Sequence, residues 1–206
     1  MELSLTDKIT YIPPTIDPLS SDIIILRGKQ NIYLYDVGNS PSSLAWLNSL
    51  DGKKSVILSH FHADHSANIK ALEYDELYVG NQTFKSIGTG NVVTAPITIE
   101  DGMKLDIIPT PSSHSKGALL LMVNDTYLFT GDSTYPSSKN DLPMYNVSLL
   151  NEQIELLSSL PATMYYLSHR NQGFLKKELI IRHLSNIYSK RNPGEAYITL
   201  SGGQMK

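Results

Sequence analysis

The chain has 206 residues, of which 41% are hydrophobic and 18% charged, as expected for a globular protein with a core of its own. It contains no cysteine, which excludes disulfides, thiolate metal ligands and a cysteine nucleophile. We recognise neither a signal peptide nor an apolar run long enough to span a membrane. We therefore expect a single domain over residues 1–206, a cytoplasmic location and no membrane association.

Runs rich in β-branched residues dominate the first two thirds of the chain. Residues 22–27 and 31–36 flank a Gly-Lys-Gln segment and predict a hairpin, and residues 119–123 and 126–130 predict another around Asn124-Asp125. Further strands are predicted at 55–59, 77–80, 92–95, 105–108 and 196–200.

Helical spacing and helix start signals indicate four helices. These are predicted over residues 40–50, 64–74, 147–160 and 173–190. The strands therefore come in blocks with helices interspersed, rather than in regular βαβ alternation. This order favours two packed β-sheets covered by helices.

The segment His60–His65 has the sequence H-x-H-x-D-H and carries three imidazoles and one carboxylate. An apolar run, residues 56–59, leads into it, and alternation along an extended chain turns His60 and His62 to the same side. Asp64 and His65 then begin the next helix, where they can face a second metal. Such ligands suit zinc and related divalent ions, so we predict a metal site.

Three further candidate ligands lie downstream. His114 follows a strand-like run, Asp132 follows an apolar strand and a glycine, and His169 follows Leu167-Ser168. Each alone could be an ordinary loop histidine or a helix cap, but beside the first cluster we favour ligation. Two adjacent metal sites need about this many ligands: His60, His62, Asp64, His65, His114, Asp132 and His169.

Five short motifs together resemble the metallo-β-lactamase-fold superfamily of hydrolases. In chain order they are YDVG at 35–38, HFHADH at 60–65, SHS at 113–115, FTGD at 129–132 and LSH at 167–169. Their joint order is specific for the superfamily but not for a substrate. The resemblance implies an α+β fold, namely the αββα four-layer sandwich of two mixed β-sheets flanked by helices, with the site at one edge of the sheets.

The resemblance also implies a role for each candidate residue. His60, His62 and His114 would hold one metal, and Asp64, His65 and His169 the other. Asp132 would bridge the two ions, and Asp36 would orient the histidine loop from behind. The sequence departs from the superfamily after His169, where Arg170 replaces a frequent glycine.

A fold of this kind implies a hydrolase with two divalent metal ions, expected to be zinc, with manganese or iron as alternatives. A metal-bridging hydroxide would attack a small-molecule ester, lactone or thioester. Asp64, Tyr135 and Tyr145 are candidates for the residue that protonates the leaving group. Each tyrosine could equally be a packing or rim residue.

Several branches of the superfamily fit the sequence less well. Asp132 argues against the β-lactamases with serine or cysteine at the bridging position, and His62 argues against the di-iron flavoproteins. The short segment after His169 argues against glyoxalase II-like enzymes. No insertion resembles the RNA-gripping arm of the tRNA nucleases, and the chain is mildly acidic, so a nucleic-acid partner is not expected.

Two alternatives to a carbonyl hydrolase stay open. A phosphodiesterase acting on a small nucleotide or phosphate ester is favoured by Lys116, by Arg170 and by the C-terminal segment 166–206, which has seven Lys or Arg against two Glu. A metal-binding protein without turnover is the other alternative. His183, in the last predicted helix, reads as a surface or boundary histidine.

Overall fold

A computed structural model describes residues 2–139, 142–170 and 173–200. Within these ranges the strands, in chain order, are β1 (Leu3–Ser4), β2 (Ile9–Ile12), β3 (Thr15–Ile16), β4 (Leu19–Ser20), β5 (Ile23–Arg27), β6 (Asn31–Tyr35), β7 (Lys53–Ile57), β8 (Glu76–Val79), β9 (Asn91–Val92), β10 (Ile97–Glu100), β11 (Lys104–Thr110), β12 (Ala118–Val123), β13 (Tyr127–Phe129), β14 (Ser137–Lys139), β15 (Leu142–Asn146), β16 (Met164–Tyr166), β17 (Leu175–Lys176) and β18 (Tyr197–Thr199). The helices are α1 (Pro41–Asn48), α2 (Ala63–Ser66), α3 (Asn81–Ile87), α4 (Val147–Ser159) and α5 (Lys177–Tyr188), with a 3₁₀ turn at Ala67–Lys70.

Two large mixed sheets form the centre of the molecule. The first has the strand order β1-β2-β5-β6-β7-β8-β9 and the second β10-β11-β12-β13-β16-β17. In the first sheet β6, β7, β8 and β9 run parallel to one another, whereas β5 and β6 are antiparallel. Among the described strands of the second sheet, only β13 and β16 form a parallel pair. Strands β14-β15-β18 and the hairpin β3-β4 form two small additional sheets.

Three apolar clusters show how the layers pack. Ile24 and Leu26 of the first sheet belong to one cluster with Leu105 and Leu121 of the second, so this cluster lies between the sheets. A second cluster packs the outer face of the second sheet against α4 and α5. A third covers the outer face of the first sheet and includes Leu47 of α1. The predicted αββα sandwich is therefore confirmed.

Both predicted hairpins form, because β5 pairs with β6 and β12 with β13, each antiparallel. The helices predicted at 40–50 and 147–160 correspond to α1 and α4. The last predicted helix begins late: residues 175–176 are a short strand, and α5 starts at Lys177. Strands β1 to β4, β10 and β14 to β17 and helix α3 were not predicted.

The predicted helix over 64–74 was wrong in extent, since α2 ends at Ser66 and a 3₁₀ turn follows. The cause lies in one carbonyl group. The carbonyl oxygen of His65 accepts the backbone N–H groups of Val37 and Gly38, at 2.9 and 3.1 Å. An α-helix would need that oxygen for the N–H of Ile69, so docking the loop onto residues 37–38 interrupts the helix.

None of the helices in the described ranges has the length and apolarity that crossing a membrane would require.

Candidate metal centre

Both sheets deliver their candidate ligands to one edge of the sandwich. In the first sheet, β6 and β7 are parallel, and β7 leads into Leu58, Ser59 and His60. In the second, β13 and β16 are parallel, and their C-terminal ends lead into Asp132 and His169. Parallel strands end at the same side of a sheet, which explains why residues far apart in sequence meet here.

The first group consists of His60, His62 and His114. Nδ1 of His62 lies 2.9 Å from Nε2 of His60 and 3.0 Å from Nε2 of His114. His60 is buried, whereas the other two are partly exposed. Three imidazole nitrogens therefore converge on one point that small molecules can reach from solvent.

The second group consists of Asp64, His65, Asp132 and His169. Nε2 of His65 lies 3.2 Å from Nε2 of His169, which in turn lies 3.2 Å from Oδ2 of Asp64. His65 is fully buried, Asp132 is almost so, and Asp64 and His169 are partly exposed. Within each group the candidate ligand atoms all lie within 4.8 Å of one another.

Asp132 connects the two groups. Its Oδ2 lies 3.3 Å from Nε2 of His65 and 3.6 Å from Nε2 of His169, both in the second group. The same oxygen lies 3.5 Å from Nε2 of His114, in the first group. The structure thus brings together all seven predicted ligands, with one carboxylate oxygen facing both sets.

Hydrogen bonds behind the site leave ligand nitrogens free. Nδ1 of His60 lies 2.9 Å from Oγ of Ser59, and Nδ1 of His114 lies 3.1 Å from the carbonyl oxygen of Pro136. Nδ1 of His65 lies 2.7 Å from a carboxylate oxygen of Asp36. These partners favour the tautomer with the proton on Nδ1, which leaves Nε2 of each ring with a lone pair for a metal.

Asp36 has the orienting position that the sequence resemblance implied. It is buried and accepts both the backbone N–H and the hydroxyl of Ser59 at 2.7 Å, besides its contact with His65. Its φ of 63° is uncommon for a residue with a side chain, and aspartate is one of the few that adopt it readily. This backbone turn points the carboxylate toward the histidine loop.

Sequence reasoning missed Asp22, which supports His169. One carboxylate oxygen of Asp22 accepts the backbone N–H of His169 at 2.7 Å, and the other accepts the hydroxyl of Tyr166 at 2.9 Å. His169 has a φ of 62°, and this hydrogen bond holds its unusual backbone. The available signal was an acidic residue directly before an isoleucine-rich, buried strand.

The histidine pKa values shift in opposite directions in the two groups. Burial and the neighbouring histidines lower the pKa of His60, and burial lowers the pKa of His62, so both rings are neutral as metal ligation requires. In the second group, burial opposes protonation of His65, but the carboxylates of Asp36 and Asp132 outweigh it and raise its pKa to about 10, so a metal ion that binds Nε2 would have to displace a proton there. The hydrogen bond to Asp64 raises the pKa of His169.

The two tyrosines proposed as proton donors have their hydroxyls engaged with the backbone. Tyr135 donates to the carbonyl of Ser168 at 2.5 Å, and Tyr145 donates to the carbonyl of Thr134 at 2.9 Å. Burial raises the pKa of both hydroxyls. Tyr135 therefore joins the loop after Asp132 to the loop that carries His169, and Tyr145 joins β15 to the loop after Asp132.

The donor set fits a pair of divalent cations. Oδ1 of Asp132 is buried and has no hydrogen-bond partner among the described residues, which is costly for a carboxylate unless a cation faces it. Five imidazoles and two carboxylates are the ligands that zinc, manganese and iron share.

Comparison with known proteins identifies the fold. No protein-family model and no curated protein sequence matches the chain. Among solved structures, a metallo-β-lactamase from Pontibacter korlensis is 16% identical, with a TM-score of 0.67, over 93% of this chain and 99% of that one. A B3 metallo-β-lactamase with an active-site glutamic acid is 11% identical, with a TM-score of 0.71, over 92% and 89%.

A di-iron protein has the same architecture. The chemotaxis sensor ODP, described in a peroxy di-iron state, is 15% identical, with a TM-score of 0.64, over 93% of this chain and 95% of that one. Identities this low establish the fold alone. The chain has the metallo-β-lactamase fold, with His/Asp groups suited to divalent metals where its two sheets end.

Proposed function

We propose that this protein is a hydrolase that uses two divalent metal ions to cleave a small-molecule ester, lactone or thioester. The observation that carries the proposal is the position of Asp132, whose Oδ2 faces nitrogen ligands of both groups at 3.3–3.6 Å. A carboxylate in this place can join two ions into one centre. Hydrolytic two-metal sites use such a pair to bind and polarise a single substrate.

In this proposal the residues divide as the sequence resemblance implied. His60, His62 and His114 hold one ion, Asp64, His65 and His169 hold the other, and Asp132 joins them. Zinc is the proposed metal, with manganese and iron as alternatives, because imidazole and carboxylate serve all three. Two such ions supply Lewis acidity and lower the pKa of a water from about 15.7 toward 7.

The residues of this chain have three tasks around the ions. Asp36 and Ser59 fix the rings of His65 and His60, which keeps the ligands in place without reorganisation during the reaction. Ser59, His60 and His65 are buried and shield the floor of the site from water. Asp64 is the proposed proton carrier, since it is partly exposed whereas the tyrosine hydroxyls are held by carbonyls. Burial opposes its ionisation, but the hydrogen bond with His169 lowers the pKa of Asp64, so its carboxylate would first accept a proton from the attacking water and then donate it to the leaving group.

The test is a rate comparison on protein loaded separately with zinc, manganese and iron. Initial rates are measured on a lactone, a thioester, a carboxylic ester and a phosphodiester with the same chromogenic leaving group where the chemistry allows it. We expect turnover of the acyl substrates and little of the phosphodiester. His62→Ala should abolish turnover, and activity that persists in this variant would overturn the assignment of the site.

A phosphodiesterase is the second candidate, because Arg170 follows His169 directly and is exposed next to the second group. A guanidinium is well suited to a phosphate oxygen. Faster cleavage of the phosphodiester than of every acyl substrate would favour this candidate. Metal binding without hydrolysis, accompanied by a new absorption band when the iron-loaded protein meets oxygen, would instead favour di-iron chemistry.

We further propose that the partner is a small molecule rather than a nucleic acid. The support is the overall charge of −3, which does not favour binding of a polyanion, and a centre whose side chains are buried or only partly exposed. A cytoplasmic location also remains a proposal.

A further inference from the structure

A cavity of about 390 Å³ lies beside the metal centre and has no role in the proposed chemistry. Helix α5, the loop after Asp132 and the loop after β16 line it, and none of the seven candidate ligands does. Its volume is in the range of small-molecule binding sites. We call it the α5 pocket.

The interior of the α5 pocket is mostly apolar. Its deeply buried lining residues are Tyr145, Leu167, Ile180, Leu184 and Leu200, together with Thr134, whose hydroxyl oxygen has no hydrogen-bond partner among the described residues. The hydroxyl of Tyr145 donates to the carbonyl of Thr134, so the ring presents its apolar faces. An interior of this kind favours a hydrocarbon body.

The rim of the same pocket is basic. Arg170 and His183 line it and are exposed, and Leu179 lies beside them. Burial lowers the pKa of His183 most, and the positive charge of Arg170 lowers it next, followed by that of Lys190. The guanidinium of Arg170 is therefore close enough to the imidazole to affect it. No acidic side chain belongs to the described lining, and Arg170 makes no salt bridge within the described part of the chain.

The pocket combines a mostly apolar interior with a guanidinium at its rim that has no ion-pair partner among the described residues. This combination is complementary to one class of ligand. We infer that the α5 pocket binds an apolar organic carboxylate, with its hydrocarbon chain on Leu184 and Leu200 and its carboxylate on Arg170. A guanidinium binds a carboxylate through two parallel hydrogen bonds, and the neighbouring imidazole adds a third donor. The inference does not depend on the reaction proposed above.

The pocket and the metal centre share a wall. Tyr135 and Pro136 line the pocket, while Tyr135 donates to Ser168, which precedes His169, and Pro136 accepts from His114. A ligand in the pocket would therefore contact residues that position metal ligands, without touching a metal ligand itself.

The experiment is calorimetric titration of the metal-loaded protein with acetate, butyrate, hexanoate and octanoate, beside octanol. We expect octanoate to bind with a Kd below about 1 mM, and affinity to rise up to about fourfold for each added methylene. Octanol should bind at least about tenfold more weakly than octanoate, because it lacks the charge that Arg170 recognises.

Two variants locate the carboxylate. Arg170→Gln should reduce the octanoate affinity about tenfold or more and leave octanol binding unchanged. Arg182→Gln removes an exposed arginine of α5 that does not line the pocket, and it should change neither affinity. Circular dichroism confirms that each variant is folded.

Three results would overturn the inference. One is the absence of octanoate binding. The second is equal affinity for acetate and octanoate. The third is an octanoate affinity of the Arg170→Gln variant that equals that of the parent protein. Either of these last two results would place the carboxylate on the metals rather than in the pocket. Because the readout is binding rather than turnover, a failure of the proposed hydrolysis would leave these outcomes unaffected.

Discussion

Asp22 accepts the backbone N–H of His169 at 2.7 Å, although 147 positions separate the two residues in sequence. The contact joins the first large sheet, which Asp22 precedes, to the loop after β16 of the second sheet. It determines where the imidazole of His169 lies, because the backbone at that residue has a φ of 62° and needs an external partner. Asp22 thus positions His169.

Replacing Asp22 should weaken the second metal site without unfolding the protein. Asp22→Asn retains the shape but replaces one acceptor oxygen with a donor, so it cannot serve both His169 and Tyr166 as the carboxylate does. Loss of a supporting partner typically lowers metal affinity about 10–100-fold. We expect bound metal, measured by mass spectrometry after dialysis, to fall from two equivalents toward one.

The control for Asp22 is Tyr166→Phe, which removes the other hydrogen bond of the same carboxylate and leaves the His169 contact in place. This variant should retain two equivalents of metal. If it loses as much metal as Asp22→Asn, the effect comes from general loosening and not from the position of His169.

Asp36→Asn should affect both metal affinity and rate. The asparagine tolerates the positive φ at this position, but it cannot accept hydrogen bonds from Ser59 and His65 through two oxygens. We expect the apparent affinity for zinc to fall about 10–100-fold in competition with a chromophoric chelator. Asn39→Asp, a nearby change outside this network, is the comparison, and equal losses in both variants would contradict the prediction.

The bridging position of Asp132 predicts a different pattern from that of Asp64. Asp132 faces both groups, whereas Asp64 belongs to one. Asp132→Asn should therefore weaken the binding of both ions, and Asp64→Asn that of one. Titration of metal-free protein with zinc distinguishes these cases by stoichiometry, and Asp51→Asn, on the exposed surface, should bind as the parent does.

Gly80, directly before α3, allows the backbone there to pack closely against the end of the loop that carries His114. A Cβ atom at Gly80 would lie 1.8 Å from the carbonyl oxygen of Gly117, the residue that ends the loop carrying His114. We expect Gly80→Ala to destabilise the fold by about 2–4 kcal/mol in urea unfolding and to reduce metal binding by the first group. Gly88→Ala has no atom within 4 Å and should cost only about 1 kcal/mol, from its positive φ.

Removing the hydroxyl of Tyr135 should lower the stability of the fold more than the rate of hydrolysis. A proton donor typically contributes about 10²–10⁴-fold to the rate, whereas a hydrogen bond to a carbonyl contributes about 1 kcal/mol to folding. Because that hydroxyl donates to Ser168, we expect Tyr135→Phe to retain the rate within about tenfold and to unfold at a lower urea concentration. A rate loss of 10²-fold or more at unchanged metal content would restore Tyr135 as the donor.

The seven candidate ligands could be predicted from the sequence because their spacing is local or follows recognisable strands. His60 to His65 needed only the alternation of an extended chain and one helical turn, and Asp132 followed an apolar strand. The supporting residues were harder to predict. The contact of Asp22 with His169 depends on how two sheets pack, and the short α2 depends on Val37 and Gly38 competing for the carbonyl of His65.

The α5 pocket could not be predicted for a similar reason. In the sequence, Arg170 was interpreted as support for a phosphate substrate and His183 as a surface or boundary histidine, and nothing connected the two. The exposure of His183 agrees with that interpretation. Only the packing of α5 against the loop after β16 places both residues at the rim of one cavity.

The ends of the parallel strands in both sheets converge on one centre, and this has a consequence for folding. A pair of ions held there would cross-link a chain that has no cysteine, tying segments from His60 to His169 at a single point. Each site would stabilise the native state by about 2.7 kcal/mol at a free metal concentration 100 times its Kd. The melting temperature would then rise with the concentration of free metal. Metal depletion would lower the stability of the folded protein as well as removing the ions that the reaction needs.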